Sequence, residues 1–334
     1  MIISFINSEY FPKPLMFYIV KNRIVAENKG KIIKSHNNPD FGNYRNATNL
    51  GWGFPNSHTY KVYLNKLFSG QPFYPSTKTI KKSWLINNRQ EIANFIENGR
   101  CVLKCDKGHS GKNIFIVSNV EEILQKMQND EHWVLQKEIK PMLYNDCKFD
   151  LRIFHFLLRF GDDYYNILSS VGYVKSSVHK FNKDSKSPYG FLTNITFNRS
   201  EKTKSKHMFE YFEFMDSFVQ NQEKRNKMIV DTYNLIRDYS KQLVQQFKKE
   251  VAKMEHKPKA QMMIYGPDIM YDEDGKPWLL ETNCSPGILI KGEVMFGRQK
   301  KMVDELVNNI ILPILQNREF LPYKGNLLFI EKIG

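Results

Sequence analysis

Residues 265–287 read YGPDIMYDEDGKPWLLETNCSPG, and the fold can be worked outward from this stretch. The acidic tetrapeptide DEDG at 272–275 separates two apolar runs, which is typical of a β-hairpin turn. We therefore predict a hairpin whose strands cover 261–271 and 277–283.

The returning strand of this hairpin carries two polar side chains that share a face. Because residues two apart on a strand point the same way, Glu281 and Asn283 would lie beside Asp268 of the opposite strand. Oxygen ligands of this kind suit Mg²⁺ that is held jointly by the protein and by substrate phosphates. A polar face on an edge hairpin would show the same alternation, so both interpretations stay open at this point.

A calcium-binding EF-hand loop is a third interpretation of the segment, and two features exclude it. With Gly275 at the sixth position of such a loop, Met270 would stand at the first position, where the motif needs an oxygen ligand. The flanking segments are also strand-like, whereas the motif requires helices.

A second α/β pattern lies upstream of the hairpin. The loop 105–113 (CDKGHSGKN) follows a strand that ends in Lys104, so its backbone N–H groups and this lysine could contact phosphates. It is not a Walker A motif, which would need a glycine at 106 and a hydroxyl at 113. An ordinary hairpin turn is the competing interpretation. The apolar periodicity around the loop predicts strands at 100–104, 114–118 and 133–136 and helices at 89–98 and 119–130.

Two longer strands are predicted at 149–160 and 164–174, joined by a turn at 161–163. Lys148, Asp150 and Arg152 alternate along the segment KFDLRIF, which places all three on one face. Buried strands rarely carry three charges on one side unless the charges face a ligand or each other. A ligand site and a mutual salt-bridge ladder therefore both remain open.

The rest of the chain supplies helices and connectors. A long helix is predicted at 226–254, because its apolar residues line one face while lysines cover the other. A final helix at 299–317 should be interrupted near Pro313. We expect a long loop at 37–56 and an extended, proline-bearing connector at 71–77.

Composition limits the class of protein. The chain has 334 residues, of which 41% are apolar and 13% aromatic, and this is too hydrophobic for a disordered protein. Its 49 Lys and Arg against 35 Asp and Glu give a formal charge of +14. Such a charge favours a polyanionic partner, although an A+T-rich coding bias would also spread lysine and asparagine through the chain.

Four cysteines without CxxC spacing argue against a disulfide scaffold or a zinc site. No basic leader begins the chain, and the apolar run at 15–20 is too short to span a bilayer. We expect a cytoplasmic protein that does not bind membranes.

Several motifs, taken in chain order, resemble the tubulin–tyrosine ligase-like family. They are Lys104, Ser110-Gly111, QKEI at 136–139, KFDLRIF at 148–154, LTN at 192–194, and Asp268 followed by ETN at 281–283. That family comprises ATP-grasp ligases that add tyrosine, glutamate or glycine to protein chains. The resemblance covers roughly residues 70–315.

The resemblance implies an ATP-grasp α/β (α+β) fold, with the nucleotide held between a central and a C-terminal mixed-sheet domain and a small N-terminal domain beside them. We place these domains at 76–139, 140–334 and 1–75, respectively. ATP and two Mg²⁺ ions are the implied cofactors, with Asp268, Glu281 and Asn283 as the metal ligands. The residues implied to bind the nucleotide are Lys104, Ser110, Gly111, Gln136, Lys137, Glu138, Ile139, Lys148, Asp150, Thr193 and Asn194.

The implied chemistry is phosphorylation of an acceptor carboxylate by ATP, followed by attack of an amino acid's amine on the acyl phosphate. Arg152 would steady the acceptor carboxylate or the oxyanion. Lys175 stands where the family usually has an arginine that grips the carboxylate of the incoming amino acid. Lysine keeps the charge but lacks the bidentate fork. The aromatic residue that often follows LTN in the family is also replaced, by Ile195.

The expected function is ATP-dependent attachment of an amino acid, glutamate in the first instance, to a carboxylate of a protein acceptor. The expected partners are a free amino acid and an acidic protein or peptide, with the tubulin tail as acceptor by analogy. Two alternatives remain: a ligase acting on a non-tubulin protein or a small peptide, and a catalytically silent basic module that binds nucleic acid. The intact Asp268, Glu281, Asn283 and Arg152 disfavour the silent module and nucleic acid as a partner.

Overall fold

The computed structural model describes residues 2–7, 31–36, 50–52, 61–97, 99–108, 111, 113–193, 208–252, 260–283, 286, 293–315, 318, 320 and 325–333. The strands in chain order are β1 (Ile2–Asn7), β2 (Lys31–His36), β3 (Leu50–Trp52), β4 (Thr77–Ile80), β5 (Cys101–Cys105), β6 (Ile114–Val117), β7 (Trp133–Lys137), β8 (Leu143–Tyr144), β9 (Cys147–Phe160), β10 (Asp163–Ser176), β11 (Met208–Glu210), β12 (Ala260–Tyr271), β13 (Pro277–Asn283) and β14 (Leu328–Lys332).

Most of these strands form one large mixed sheet with the order β11-β10-β9-β12-β3-β1-β2. Strand β13 pairs with β12, β14 with β10, and β8 with β9. The pairs β9–β10, β9–β12 and β12–β13 are antiparallel, whereas β3 joins β12 and β1 in parallel. A second, antiparallel sheet has the order β4-β7-β5-β6.

Helices pack on both faces of the large sheet, and three others, at 82–87, 89–96 and 120–126, pack on the second sheet. In chain order the helices are α1 (Lys61–Phe68), α2 (Lys82–Asn87), α3 (Arg89–Ile96), α4 (Val120–Lys126), α5 (Tyr211–Phe218), α6 (Gln222–Ala252), α7 (Glu293–Leu306) and α8 (Leu312–Leu315), with a π-helical turn at Val307–Ile311 between the last two.

The two faces of β9 enter two separate cores. Phe154, Phe156 and Leu158 pack with residues of α7, while Leu151 and Ile153 pack with residues of α6. Alternation along one strand therefore sends even-numbered side chains towards α7 and odd-numbered ones towards α6. By the same alternation, the α7 face also carries Lys148, Asp150 and Arg152, which lie earlier on β9.

The structure confirms the principal predicted elements. The predicted hairpin pairs β12 with β13. The Asp272 carboxylate fixes its tip by accepting hydrogen bonds from Asp274 N, Lys276 N and Trp278 Nε1. Gly275, also in the tip, adopts a φ of +90°. The predicted helix at 119–130 is α4, which Asn119 caps by accepting a hydrogen bond of 2.9 Å from Glu122 N. The predicted apolar face of the long helix is buried in α6.

Of two further predictions, one was wrong in detail and the other is confirmed. The segment 37–56 was expected to be a loop, but it contains β3, which is held by pairing to β12 and β1 rather than by its own sequence. The final helix was expected to be interrupted near Pro313, and this is confirmed, because the regular α-helix ends at Leu306 and resumes only at Leu312. The π-helical turn at Val307–Ile311 lies just before the proline, where the ordinary i to i−4 bond cannot form.

The domain boundaries at 75 and 139 stay predictions. The second sheet is built from residues between Thr77 and Lys137, and α1 packs its Leu64 and Phe68 in the core of the large sheet. Across the part of the chain that the structure describes, no helix is both long enough and apolar enough to cross a bilayer.

Candidate active site

Four charged side chains form a buried cluster on the α7 face of the large sheet: Asp150 and Arg152 of β9, Lys175 of β10 and Asp268 of β12. We call this set the ionic cluster. Strand register explains it, because Arg152 stands directly opposite Asp268 and Lys175 directly opposite Asp150.

The contacts within the ionic cluster are short. Arg152 donates to both carboxylate oxygens of Asp268, from Nε to Oδ1 at 2.6 Å and from Nη2 to Oδ2 at 2.5 Å. The Lys175 ammonium lies 2.8 Å from Asp150 Oδ1 and 3.0 Å from Asp268 Oδ2. The salt-bridge alternative is therefore correct in part, since the charges pair across strands rather than along β9.

Burial and pairing oppose each other in the electrostatics of this cluster. Burial would raise the pKa of Asp268, but Arg152 and Lys175 outweigh that effect and lower the pKa to about 2. Burial would lower the pKa of Lys175, but Asp150 and Asp268 outweigh it and raise the pKa. Both side chains are thus charged at neutral pH.

The predicted metal ligands lie together as the hairpin implied. Asp268 faces Glu281 directly across the β12–β13 pair, and Asn283 faces Gly266 two residues further along. Asp268 is 2% exposed, which a solvated polar face would not be. Among the described residues the Glu281 carboxylate has no hydrogen-bond or ion-pair partner, whereas both Asp268 oxygens are engaged.

This donor set fits a hard divalent cation. It offers two carboxylates and one amide oxygen on one face, although an ion would share Asp268 with Arg152 and Lys175. Asn283 Nδ2 lies 3.4 Å from Gly266 O, which leaves the amide oxygen directed elsewhere. A cluster of three or more His, Cys, Asp or Glu side chains in metal-binding geometry does not occur within the described ranges.

Lys148 continues the ionic cluster along β9. Its ammonium lies 3.6 Å from the ring centroid of Phe191, and burial lowers its pKa to about 8. Thr193, from the predicted LTN motif, donates from Oγ1 to Asp150 Oδ2. Asn194 of the same motif lies outside the described residues.

The second sheet presents another lysine, Lys104, which is half-buried. Lys104 Nζ donates to Gln136 Oε1 at 2.7 Å, and Gln136 Nε2 donates to Thr77 Oγ1 at 3.1 Å. Burial lowers the pKa of Lys104 to about 8. Two residues predicted to bind nucleotide are thereby joined on one sheet face.

In the predicted motif QKEI at 136–139, the side chains of Lys137 and Glu138 contact other parts of the protein. The Lys137 ammonium donates to Ile96 O at 3.0 Å, and the Glu138 carboxylate pairs with Arg100 at 2.8 Å. Their side chains are thus held within the second sheet and its helices, and only their backbone would be available to a base. Ile139 follows directly after Glu138 and leaves the sheet.

The loop 105–113 closes the β5–β6 hairpin, since Cys105 N donates to Asn113 O at 3.1 Å. The hairpin-turn interpretation is therefore confirmed as its structure, and phosphate contact stays a prediction. Gly111 has a φ of +78°, a conformation that favours glycine. Ser110 lies outside the described residues.

Sequence reasoning missed two residues at this site. Lys61 of α1 is buried and donates from Nζ to Gly108 O at 2.6 Å, which ties the loop to α1. Tyr173 stands opposite Arg152, and Arg152 Nη1 donates to its hydroxyl at 3.2 Å. The sequence could have indicated Tyr173, because it lies two residues before Lys175 and so shares its strand face. No feature of the sequence indicated Lys61.

Comparisons with known proteins agree with the family resemblance of the sequence. A family model described as the tubulin-tyrosine ligase family matches residues 56–319. The chain is similar to the probable alpha-tubulin polyglutamylase Ttll1 of Tetrahymena thermophila, with 24% identity over 285 residues that cover 78% of this chain and 65% of that protein. It is similar to the probable tubulin polyglutamylase ttll-9 of Caenorhabditis elegans, with 24% identity over 222 residues, 62% of this chain and 51% of that protein.

A further relative is named as inactive. The chain is 25% identical over 269 residues to the inactive polyglycylase TTLL10 of Homo sapiens, covering 68% of this chain and 39% of that protein. The chain thus spans about two thirds, or less, of the length of these curated relatives.

Proposed function

The chain belongs to the tubulin-tyrosine ligase family, and from this premise we propose that it is an ATP-dependent carboxylate–amine ligase of the EC 6.3.2 type. It attaches an amino acid, glutamate in the first instance, to a carboxylate of a protein acceptor such as tubulin. The observation that carries the proposal is the convergence of Glu281, Asp268 and Arg152 on one face of neighbouring strands. The family's ATP-grasp-like fold supports it.

The buried lysines would bind the nucleotide. Lys104 and Lys148 each place an ammonium in a site that strengthens its attraction for phosphate oxygens. They belong to different sheets, so a nucleotide that contacts both would lie between the second sheet and the large sheet. Its base would meet the backbone at 136–139 and the side chain of Ile139.

Metal ions would be held by Glu281 and Asp268, with Asn283 beside them. When bound, ATP and Mg²⁺ would supply the phosphoryl group that activates the acceptor carboxylate and the charge that neutralises it. The protein's own part is positional, because Arg152 is fixed by two hydrogen bonds and by Tyr173. Its guanidinium is therefore oriented before substrate arrives, which is what charge stabilisation in a transition state requires.

An acidic acceptor suits the net charge of +14. The outer face of α6 presents exposed Lys248 and Lys249, and Lys241 there pairs with Asp238 at 2.9 Å. We place the docking of an acidic tail on this face. Tubulin as the acceptor would locate the protein in the cytoplasm.

The proposal is tested by incorporation of a labelled amino acid. Purified protein is incubated with ATP, Mg²⁺ and tubulin, and with labelled glutamate, glycine or tyrosine in turn. We expect incorporation of glutamate that disappears in Glu281→Gln. The matched control is Glu273→Gln, the same change at an exposed carboxylate in the hairpin tip, which pairs with Lys140 at 3.4 Å.

The alternatives give different results in this assay. ATP turnover without labelling of tubulin would keep the ligase and exclude tubulin as acceptor, so other acidic proteins and peptides would be tested next. Binding of nucleic acid that weakens steeply with salt, without ATP turnover, would contradict the proposal and favour a silent module.

A further inference from the structure

Lys175 occupies an unusual position within the ionic cluster. It is 2% exposed, and its ammonium contacts one oxygen of Asp150 at 2.8 Å and one oxygen of Asp268 at 3.0 Å. A lysine buried this deeply is stable only when its charge is matched, and two carboxylates match it here.

These contacts conflict with the role that the family resemblance implies for Lys175. A substrate carboxylate that approached the same ammonium would add a third negative charge beside Asp150 and Asp268. Like charges at such distances repel strongly in a buried site.

The neighbouring carboxylate is in a different situation. Glu281 stands directly across the strand pair from Asp268 and has no hydrogen-bond or ion-pair partner among the described residues. A divalent cation bound to Glu281 would reach Asp268 next, and the Asp268 oxygen that accepts from Arg152 Nη2 also contacts Lys175. A cation coordinated by Asp268 would therefore lie close to the Lys175 ammonium, and the two positive charges would compete for one carboxylate.

We infer that Lys175 is an internal counter-cation that competes with the metal ion for Asp268, rather than a ligand for the incoming amino acid. The inference rests on the proposed metal site. Binding of the metal at Glu281 and Asp268 moves the ammonium away from Asp268, and Asp150 keeps it inside the cluster. A lysine suits this exchange because its ammonium is a compact charge on a flexible stem, whereas an arginine fork would be fixed by its geometry.

Metal affinity in the absence of nucleotide tests the inference. Mn²⁺ is titrated into the full chain, and free Mn²⁺ is followed by electron paramagnetic resonance. Lys175→Met should bind Mn²⁺ about tenfold more tightly than the unmodified chain, because its competitor has been removed. Unchanged or weaker Mn²⁺ binding by Lys175→Met would overturn the inference.

The matched control is Lys180→Met. Lys180 is an exposed lysine that pairs with Asp146 at 2.7 Å, outside the ionic cluster, so the same substitution should not alter Mn²⁺ affinity. A tighter Mn²⁺ complex in the control as well would attribute the effect to net charge and contradict the role assigned to Lys175.

Asp150→Asn supplies a variant with the opposite expected sign. It removes one partner of Lys175, so the ammonium is held by Asp268 more firmly and Mn²⁺ binding should weaken severalfold. This variant keeps the inference testable where Lys175→Met fails to fold. Equal Mn²⁺ affinity in Asp150→Asn and the unmodified chain would contradict the inference.

Failure of the inference and failure of the proposed function are distinguishable. The Mn²⁺ titration needs no amino acid or acceptor, whereas the labelling assay needs both. Opposite shifts in the two variants, with neither labelling nor ATP turnover in the unmodified chain, would keep the counter-cation and reject the ligase. Labelling by the unmodified chain, without these shifts in Mn²⁺ affinity, would support the ligase and reject the counter-cation role of Lys175.

Discussion

Strand β9 contributes to two buried polar clusters of opposite character, one on each face. On the α7 face lies the ionic cluster, in which the nitrogens of the two basic side chains lie 2.5–3.0 Å from the carboxylate oxygens of the two acids. On the α6 face lies a neutral cluster of His155, Asn166 and Ser240, in which His155 Nε2 is 2.8 Å from Asn166 Oδ1 and 2.9 Å from Ser240 Oγ.

The two faces differ in how their buried polar groups are stabilised. Burial lowers the pKa of His155 to about 3, so the neutral cluster carries no charge at physiological pH and needs only hydrogen bonds. The ionic cluster balances two acids against two bases, an arrangement that hydrophobic residues could often replace without loss of stability. A fold retains such charges where a ligand uses them, which favours the α7 face as the reactive one.

The largest effect is expected from removing the arginine of the ionic cluster. Arg152→Met leaves Asp268 buried without its bidentate partner, and we expect about 3–5 kcal/mol lower free energy of unfolding together with loss of amino-acid incorporation. Urea denaturation measures the first and the labelling assay the second. Arg89→Met, at an exposed pair with Glu121, should change neither. An equally small effect in Arg152→Met would break the contrast between the clusters.

A smaller effect is expected from the neutral cluster. Ser240 Oγ contacts His155, Asn166 and Ile236 O, so Ser240→Ala removes these hydrogen bonds, while His155 and Asn166 keep their contact with each other. We expect the free energy of unfolding to fall by about 0.5–1.5 kcal/mol, while the kcat of the folded enzyme stays unchanged. Denaturation and initial-rate measurements test this, and a large fall in kcat would show that the neutral cluster takes part in function.

The smallest expected effect concerns pH. Burial lowers the pKa of Lys148 and of Lys104 to about 8, so both ammoniums are charged below pH 8 and lose their protons above it. Each lysine would therefore weaken ATP binding about tenfold between pH 7 and 9, because the deprotonated amine no longer attracts phosphate. Calorimetric titration of ATP across this range measures the effect.

Two variants sharpen the pH experiment. Lys148→Met should bind ATP more weakly at pH 7 and lose about half of the pH dependence. Ser240→Ala should leave the pH dependence as it was, since the neutral cluster does not titrate there. ATP affinity that is constant from pH 7 to 9 would contradict the assignment of these lysines to the nucleotide.

Periodicity predicted the long elements of this fold well. Strands β9, β10, β12 and β13 and helix α6 each have enough residues to show alternation or a helical apolar face, and the family resemblance is confirmed by the match over 56–319. The short strands β5, β6 and β7, of four or five residues each, were also predicted, whereas β3 was not. Strand β3 has three residues and exists because Leu50 pairs with Ala260, far along the chain.

For the candidate site, the sequence predicted which residues share a face but not which partners they contact. Alternation placed Asp150 and Arg152 together, as the structure has them. That Lys175 would bridge Asp150 and Asp268 depends on the register of β10 against β9 and of β12 against β9, and neither register can be read from a single strand. The bonding roles of Ser110 and Asn194 stay predictions.

The bulge in the hairpin restricts how its length can vary in evolution. Asp268 pairs with Glu281, but Ile269 already pairs with Leu279, so Leu280 is the extra residue that turns Glu281 to the side of Asp268. An insertion or deletion of one residue between the bulge and Glu281 would send its carboxylate to the opposite face. Active relatives of this protein should therefore keep the spacing around Leu280.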